Sequence, residues 1–132
     1  MAFGNLKFDT LTTSDSIKSN TEKSLDTSYV FNGSCKAWSN LDGDASTPVS
    51  RDSFNIGSVT DTAAGNYTNN FTNNMSNDDF SASTDSQDAG TRTNVHSSFE
   101  SQTTSGIQIT HFEGGSGTDT NRVGTIVVGD VA

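Results

Sequence analysis

Residues 51–80 read RDSFNIGSVTDTAAGNYTNNFTNNMSNDDF, and the alternation inside this stretch decides the fold class. Tyr67, Asn69 and Phe71 fall on one side of an extended chain, with Thr68 and Asn70 on the other. That is the two-residue period of a strand. Upstream, Phe54 and Ile56 share a face, but Val59 follows Gly57 by two residues and is out of step by one. The slip requires a bulge or bend near Gly57. Asp61 to Gly65 supplies turn residues, so the stretch reads as a hairpin. No acid, base, nucleophile or metal ligand recurs in it at a spacing that implies chemistry.

Short segments of the same kind lie on either side. Ala2 to Thr12 reads as a strand, with Leu6 and Phe8 on one face and Lys7 and Asp9 opposite. Thr12 to Thr27 is polar; Ser14 is followed three residues on by Ile17, which is no capping box, and the segment reads as a loop. Tyr29–Phe31 and Cys35–Leu41 form an apolar pair around Asn32-Gly33, a strong hairpin signal. Asp42 to Ser50 is an exposed turn, Phe80-Ser81-Ala82 begins another strand, and Asp85 to Gly90 is a polar turn. Thr93, Val95, Ser97 and Phe99 alternate, and Ile107, Ile109 and His111 share a face opposite Gln108, Thr110 and Phe112. Glu113 to Thr120 carries Gly114, Gly115 and Gly117 and reads as a mobile tip. Ile126, Val127 and Val128 in a row predict a last strand, 123–128, buried on both faces. The expectation is an all-β chain: a single antiparallel β-sandwich or small barrel of about eight short strands over residues 31–132. Residues 1–30 are read as an N-terminal docking or oligomerisation arm with one early strand.

A chain of 132 residues is sized for one domain. Only 30% of its residues are hydrophobic and 8% aromatic, and its 12 glycines narrow without closing the gap to the roughly 45–50% apolar content, glycine included, of ordinary domains. Such a composition fits either disorder or a β-protein whose small core is completed by partner subunits. The charged fraction of 17% is not high and the alternating segments recur, so ordered β-structure in an oligomer is expected. The net charge of −9 with seven scattered basic residues argues against nucleic acid and against an anionic membrane surface as partners. Cys35, the sole cysteine, has no partner for an intrachain disulfide and reads as a small buried hydrophobe. No run approaches the roughly 18 apolar residues of a membrane helix. The first residues lack a basic segment followed by an apolar run, so a protein made in a cytoplasm is expected.

The chemical motifs are weak. Asn40-Leu41-Asp42-Gly43-Asp44 has the oxygen ligands of a calcium loop without the closing glutamate, and reads as a solvated turn. Asp78 and Asp79 are adjacent and would point to opposite faces of a strand. His96, His111 and Cys35 have no zinc-type spacing; three copies of His111 around a symmetry axis is the best arrangement for a shared ion. Asn66-Tyr67-Thr68 and Asn70-Phe71-Thr72 match the glycosylation pattern by accident. Neither a nucleophile elbow nor a phosphate-cradling glycine loop is present. No catalytic, cofactor or metal residue is assigned, no cofactor is expected, and an enzyme is not expected.

The order Lys36-Ala37-Trp38, Arg51 to Asp61 (RDSFNIGSVTD), Gly65-Asn66-Tyr67-Thr68 and Phe71-Thr72 through Met75 resembles a domain of bacteriophage tail-fibre and related virion proteins. Met1-Ala2-Phe3-Gly4, Asp9 to Thr12, Asp26 to Val30 and the Val128-Gly129-Asp130 ending are similar to short virion proteins of phages of marine bacteria. The chain departs from the pattern at Ser39 to Asp42, and at Asn69 and Asn70, where the family has an apolar strand residue. The resemblance implies a non-enzymatic virion structural protein at a tail-fibre tip or appendage, made in the host cytoplasm, localised to the virion and involved in host attachment. It implies a homotrimer seated on another virion protein, with loops 42–50, 85–91 and 113–121 facing a host glycan or protein. The residues expected to form the oligomer core are Trp38, Phe54, Tyr67, Phe71, Ile126 and Val128. Two other readings stand beside it: a capsid decoration or capsid-fibre protein, and a carbohydrate-binding or adhesin module using exposed aromatics such as Trp38 or Tyr67.

Overall fold

The computed structural model describes residues 10–13, 23–87 and 96–129. It divides the chain into two compact units, Met1–Ser34 and Cys35–Ala132. In the first unit β1 (Thr10–Thr13) pairs antiparallel with β2 (Lys23–Asp26), Thr10 opposite Asp26 and Thr13 opposite Lys23. The short helix α1 (Thr27–Gly33) follows. The strand expected around Leu6 and Phe8 lies outside the described residues, and β2 occupies part of the expected loop. Tyr29 to Phe31 is helical, which corrects the expected hairpin. The Ser34 amide donates to the Val30 carbonyl at 3.1 Å and the Ser34 hydroxyl to the Phe31 carbonyl at 3.0 Å, so Asn32-Gly33 ends a helix. A hairpin partner for 35–41 was also unnecessary, because that strand finds a neighbour on each side.

The second unit begins with β3 (Cys35–Asp42), β4 (Val49–Phe54), β5 (Ile56–Ala63) and β6 (Asn66–Phe71). It continues with β7 (Ser81–Ser86), β8 (His96–Thr103), β9 (Gly106–Glu113), the two-residue β10 (Ser116–Gly117) and β11 (Val123–Val128). One sheet has the order β4-β3-β11-β7; the other runs β10-β9-β6-β5, with β8 also paired to β9. All pairings are antiparallel. The two sheets face one another, so the expected all-β sandwich is what the chain forms.

The stretch 51–80 serves both sheets. Asn55, at φ 58°, separates β4 from β5, so Phe54 and Ile56 belong to different sheets and do not share a strand face. Asn tolerates the left-handed region better than other non-glycine residues. Its side chain is held at both ends: Nδ2 donates to the Asn73 carbonyl at 3.0 Å and Oδ1 accepts from the Asn73 amide at 2.7 Å. Gly57 is bulged out, as the sequence requires: Ile56 pairs with Phe71 and Ser58 with Asn70. In β6 burial alternates strictly, with Tyr67, Asn69 and Phe71 inside.

Two apolar clusters fill the space between the sheets. Ala37, Phe71, Met75, Phe80, Ile107 and Val127 form one, with Phe71 and Phe80 edge to face at 5.7 Å. Leu41, Tyr67, Ile109 and Val123 form the other. Both draw on β3 and β11 from one sheet and β6 and β9 from the other. A polar bridge also crosses the sandwich, where Asn69 Nδ2 donates to Ser39 Oγ at 2.7 Å, both residues buried. This is how a chain poor in apolar residues encloses a core: short polar side chains point inward, and the Asn69–Ser39 pair is hydrogen-bonded across the gap.

Three further expectations are corrected. Ile126 is 55% exposed, because β11 has β3 and β7 as edge neighbours but only one face toward the core. Cys35 is exposed rather than buried. The glycine-rich segment 113–120 is tied back to the core: Asp119 accepts from the Gly65 amide at 2.7 Å, and Thr120 Oγ1 donates to the Gln87 carbonyl at 2.6 Å. Of the expected alternation at 93–99, Thr93 and Val95 lie outside the described residues, and Phe99 is exposed.

Candidate functional site on the outer sheet face

A strand presents successive side chains to opposite faces, so the residues that β4, β3, β11 and β7 turn away from the core form rows set by register. In one row Phe54 of β4 stands opposite Trp38 of β3, Trp38 opposite Ile126 of β11, and Ile126 opposite Ser83 of β7. The neighbouring row runs Asp52, Asn40, Gly124, Asp85 across the same strands. An apolar row thus lies directly beside a polar one. Phe54 is 54% exposed and Trp38 is half-buried.

Between Trp38 and β7 the surface sinks into an open groove of about 680 Å³, lined by residues of β3, β7 and β11 together with Gln87 and Arg122. Gly124 lies in its lining, beneath the Asp85 carboxylate. A Cβ there would run into the Asp85 carboxylate, so the absent side chain lets Asp85 lean across β11. Asn40, Asp85, Gln87 and Arg122 are exposed, and among the described residues no hydrogen bond engages their side chains. Their hydrogen-bonding capacity faces the groove and solvent. One flank is fixed by an ion pair between Arg51 and Asp42, whose guanidinium also donates to the Asn121 carbonyl at 3.1 and 3.3 Å. That clamp ties β4 and β3 to the segment entering β11.

Of the six residues singled out in the sequence, the fold brings Trp38, Phe54 and Ile126 together on this face. Val128 lies two residues beyond Ile126 on the same strand and is half-buried. Tyr67 and Phe71 are elsewhere: both are buried in the chain's own core and need no partner for cover. The Tyr67 hydroxyl donates to Asp119 Oδ1 at 2.9 Å and sits 3.4 Å from the Gly43 carbonyl. Burial, and then the hydrogen bond to Asp119, push its ionisation well above the usual phenol range. Tyr67 therefore cannot serve as an exposed aromatic for ligands.

The histidines do not form an ion site. His111 is fully buried, with Nδ1 2.7 Å from Ser86 Oγ, which removes it from any symmetry axis. His96 stacks on Phe112 with ring centres 5.1 Å apart. Among the described residues, no group of three His, Cys, Asp or Glu side chains is placed to hold a metal ion. Sequence reading missed Asn40, Gly124, Asp85 and Arg122 as companions of Trp38. Alternation hints at their outward direction, but only the register shows that they meet.

Comparison of the chain with protein-family models, curated proteins and solved structures gives no match. The candidate site is defined by its own geometry: an outward-facing groove on one sheet of an antiparallel sandwich, floored by glycine and walled by tryptophan.

Proposed function

We propose that this chain is a non-enzymatic structural protein of a bacteriophage virion, acting in host attachment at a tail-fibre tip or appendage. The observation that carries the proposal is the outer row Phe54–Trp38–Ile126 beside an open polar groove. Such a row on a sandwich with an enclosed core is a contact surface rather than leftover core. Ser86 on the groove wall meets His111 Nδ1 at 2.7 Å, but that imidazole is fully buried, and the other polar groups are spread along a sheet face, an arrangement that favours binding over catalysis. In this reading the first unit docks the domain onto another virion protein, and the chains associate as a homotrimer.

Labelling purified particles with an antibody raised against the full chain tests the proposal. Label at the tail extremity is the expected result. Label spread over the head would replace it with the capsid-decoration reading, and particles that carry none of the chain would overturn it.

A further inference from the structure

We infer that the groove beside Trp38 binds a neutral oligosaccharide; its role in adhesion rests on the attachment reading above, while its chemistry does not. A sugar ring has an apolar C–H face and a rim of hydroxyls, each able to donate and to accept. A site for it needs a flat apolar wall and a mixed set of donors and acceptors at the margin. Trp38 supplies the wall. It is held on β3 with Phe54 and Ile126 directly across from it, and such cross-strand neighbours restrict a side chain on a sheet face.

The margin is supplied by the next row. Asn40 offers both a carbonyl and an amide, Asp85 only acceptors, and Arg122 only donors. None of the three is hydrogen-bonded through its side chain among the described residues. Asn40 and Asp85 flank Gly124 in register, two strand spacings apart, or roughly 9–10 Å between backbones. The Asp85 carboxylate occupies the space above Gly124, so a ring stacked on Trp38 would meet these groups at its edge. The volume of about 680 Å³ suits a short chain of sugars.

Charge selects among saccharides. The net charge of −9, with Asp52 and Asp85 in the polar row itself, repels uronic and sialic acid polymers. A second copy of the chain fits the polar row less well, since pairing this face with itself brings like carboxylates together.

Trp38 is the only tryptophan, so its fluorescence reports the groove directly. The full chain is titrated with maltotetraose, cellotetraose and chitotetraose, and with an alginate tetramer as the anionic control. The expected result is a saturable change with at least one neutral sugar and none with alginate. That response should weaken at least tenfold in Asn40→Ala and in Asp85→Ala, whose exposed positions leave the melting temperature unchanged. No saturable change with any neutral sugar at millimolar concentration would overturn the inference, as would a response untouched by both substitutions. A chain whose native mass is a multiple of 13.9 kDa and whose tryptophan ignores every sugar would make this face a contact between copies instead. Sugar binding by a chain absent from virions would sink the attachment reading and leave the site standing; virion label at the tail without sugar binding would do the reverse.

Discussion

Replacing Tyr67 with Phe should remove the phenol's hydrogen bonds, chiefly that to Asp119, and keep the ring's packing, which makes the energy readable. The ring is fully buried among Leu41, Ile109 and Val123, and Phe keeps that packing. The main loss is donation to Asp119 Oδ1 at 2.9 Å, an oxygen that also accepts from the Gly65 amide at 2.7 Å. Hydrogen bonds to a charged partner are worth about 1.5–3 kcal/mol, but Asp119 is exposed and water can replace the phenol. A loss of about 1–2 kcal/mol at pH 7 follows. Urea unfolding measures it as a lower midpoint at unchanged slope. A second arm uses pH. Burial and the Asp119 hydrogen bond raise the folded ionisation of Tyr67 above its unfolded value near 10. Above about pH 10 the unfolded chain therefore holds fewer protons than the folded one, and stability falls as pH rises. Tyr67→Phe lacks that penalty, so its deficit against the natural chain should shrink in alkali. An unchanged midpoint at pH 7, together with a deficit constant from pH 7 to 11, would refute the assignment of Tyr67 as a buried neutral donor.

The polar bridge between the sheets offers a double-mutant cycle. Asn69→Ala and Ser39→Ala each remove one end of the 2.7 Å bond and should destabilise by about 1–3 kcal/mol, with the double variant less destabilised than the sum. Chemical denaturation of the four chains gives the coupling directly. Gly65→Ala is predicted to be severe: Gly65 sits at φ 71°, and an added Cβ would meet the His111 carbonyl and the Thr118 backbone. Its thermal unfolding should show a loss of more than about 1 kcal/mol, beyond what the backbone angle alone costs.

What could be read from the sequence was what depends on neighbours along the chain. Gly57 had to bulge because Val59 was out of step, and Ser58 indeed pairs with Asn70 next to the Ile56–Phe71 pair. The inward sets Tyr67/Asn69/Phe71 and Ile107/Ile109/His111 follow from a period of two. What could not be read depends on which strand lies beside which. The chain crosses between sheets at Asn55, but nothing local distinguishes a strand break with change of sheet from a continuous strand. Ile126-Val127-Val128 looks like a strand buried on both faces, yet its outer face has no third layer to cover it among the described residues. The site was half visible. Trp38, Phe54 and Ile126 were picked out for being apolar, whereas Asn40, Gly124 and Asp85 join them only through register.

The distribution of polarity across β3 and β11 carries the functional reading furthest. If the shortage of apolar residues were merely tolerated, the few available would all be expected to point inward, where burying a Phe or Ile side chain is worth about 1.5–3 kcal/mol. Instead Ser39 and Thr125 occupy inward positions while Ile126, one residue on from Thr125, is 55% exposed. Phe54 is 54% exposed on the strand that flanks Trp38. Stability alone would favour the opposite assignment, and exposed large apolar side chains beside buried polar ones are the informative exceptions in a soluble fold. Val49 and Phe99 are exposed at other positions, but Phe54 and Ile126 are aligned. Phe54, Trp38 and Ile126 fall in a single register row, next to a row in which the side chains of Asn40 and Asp85 have no hydrogen-bond partner among the described residues. Local sacrifices of stability that line up across three strands point to a surface kept for contact, and the groove beside Trp38 points to where that contact enters.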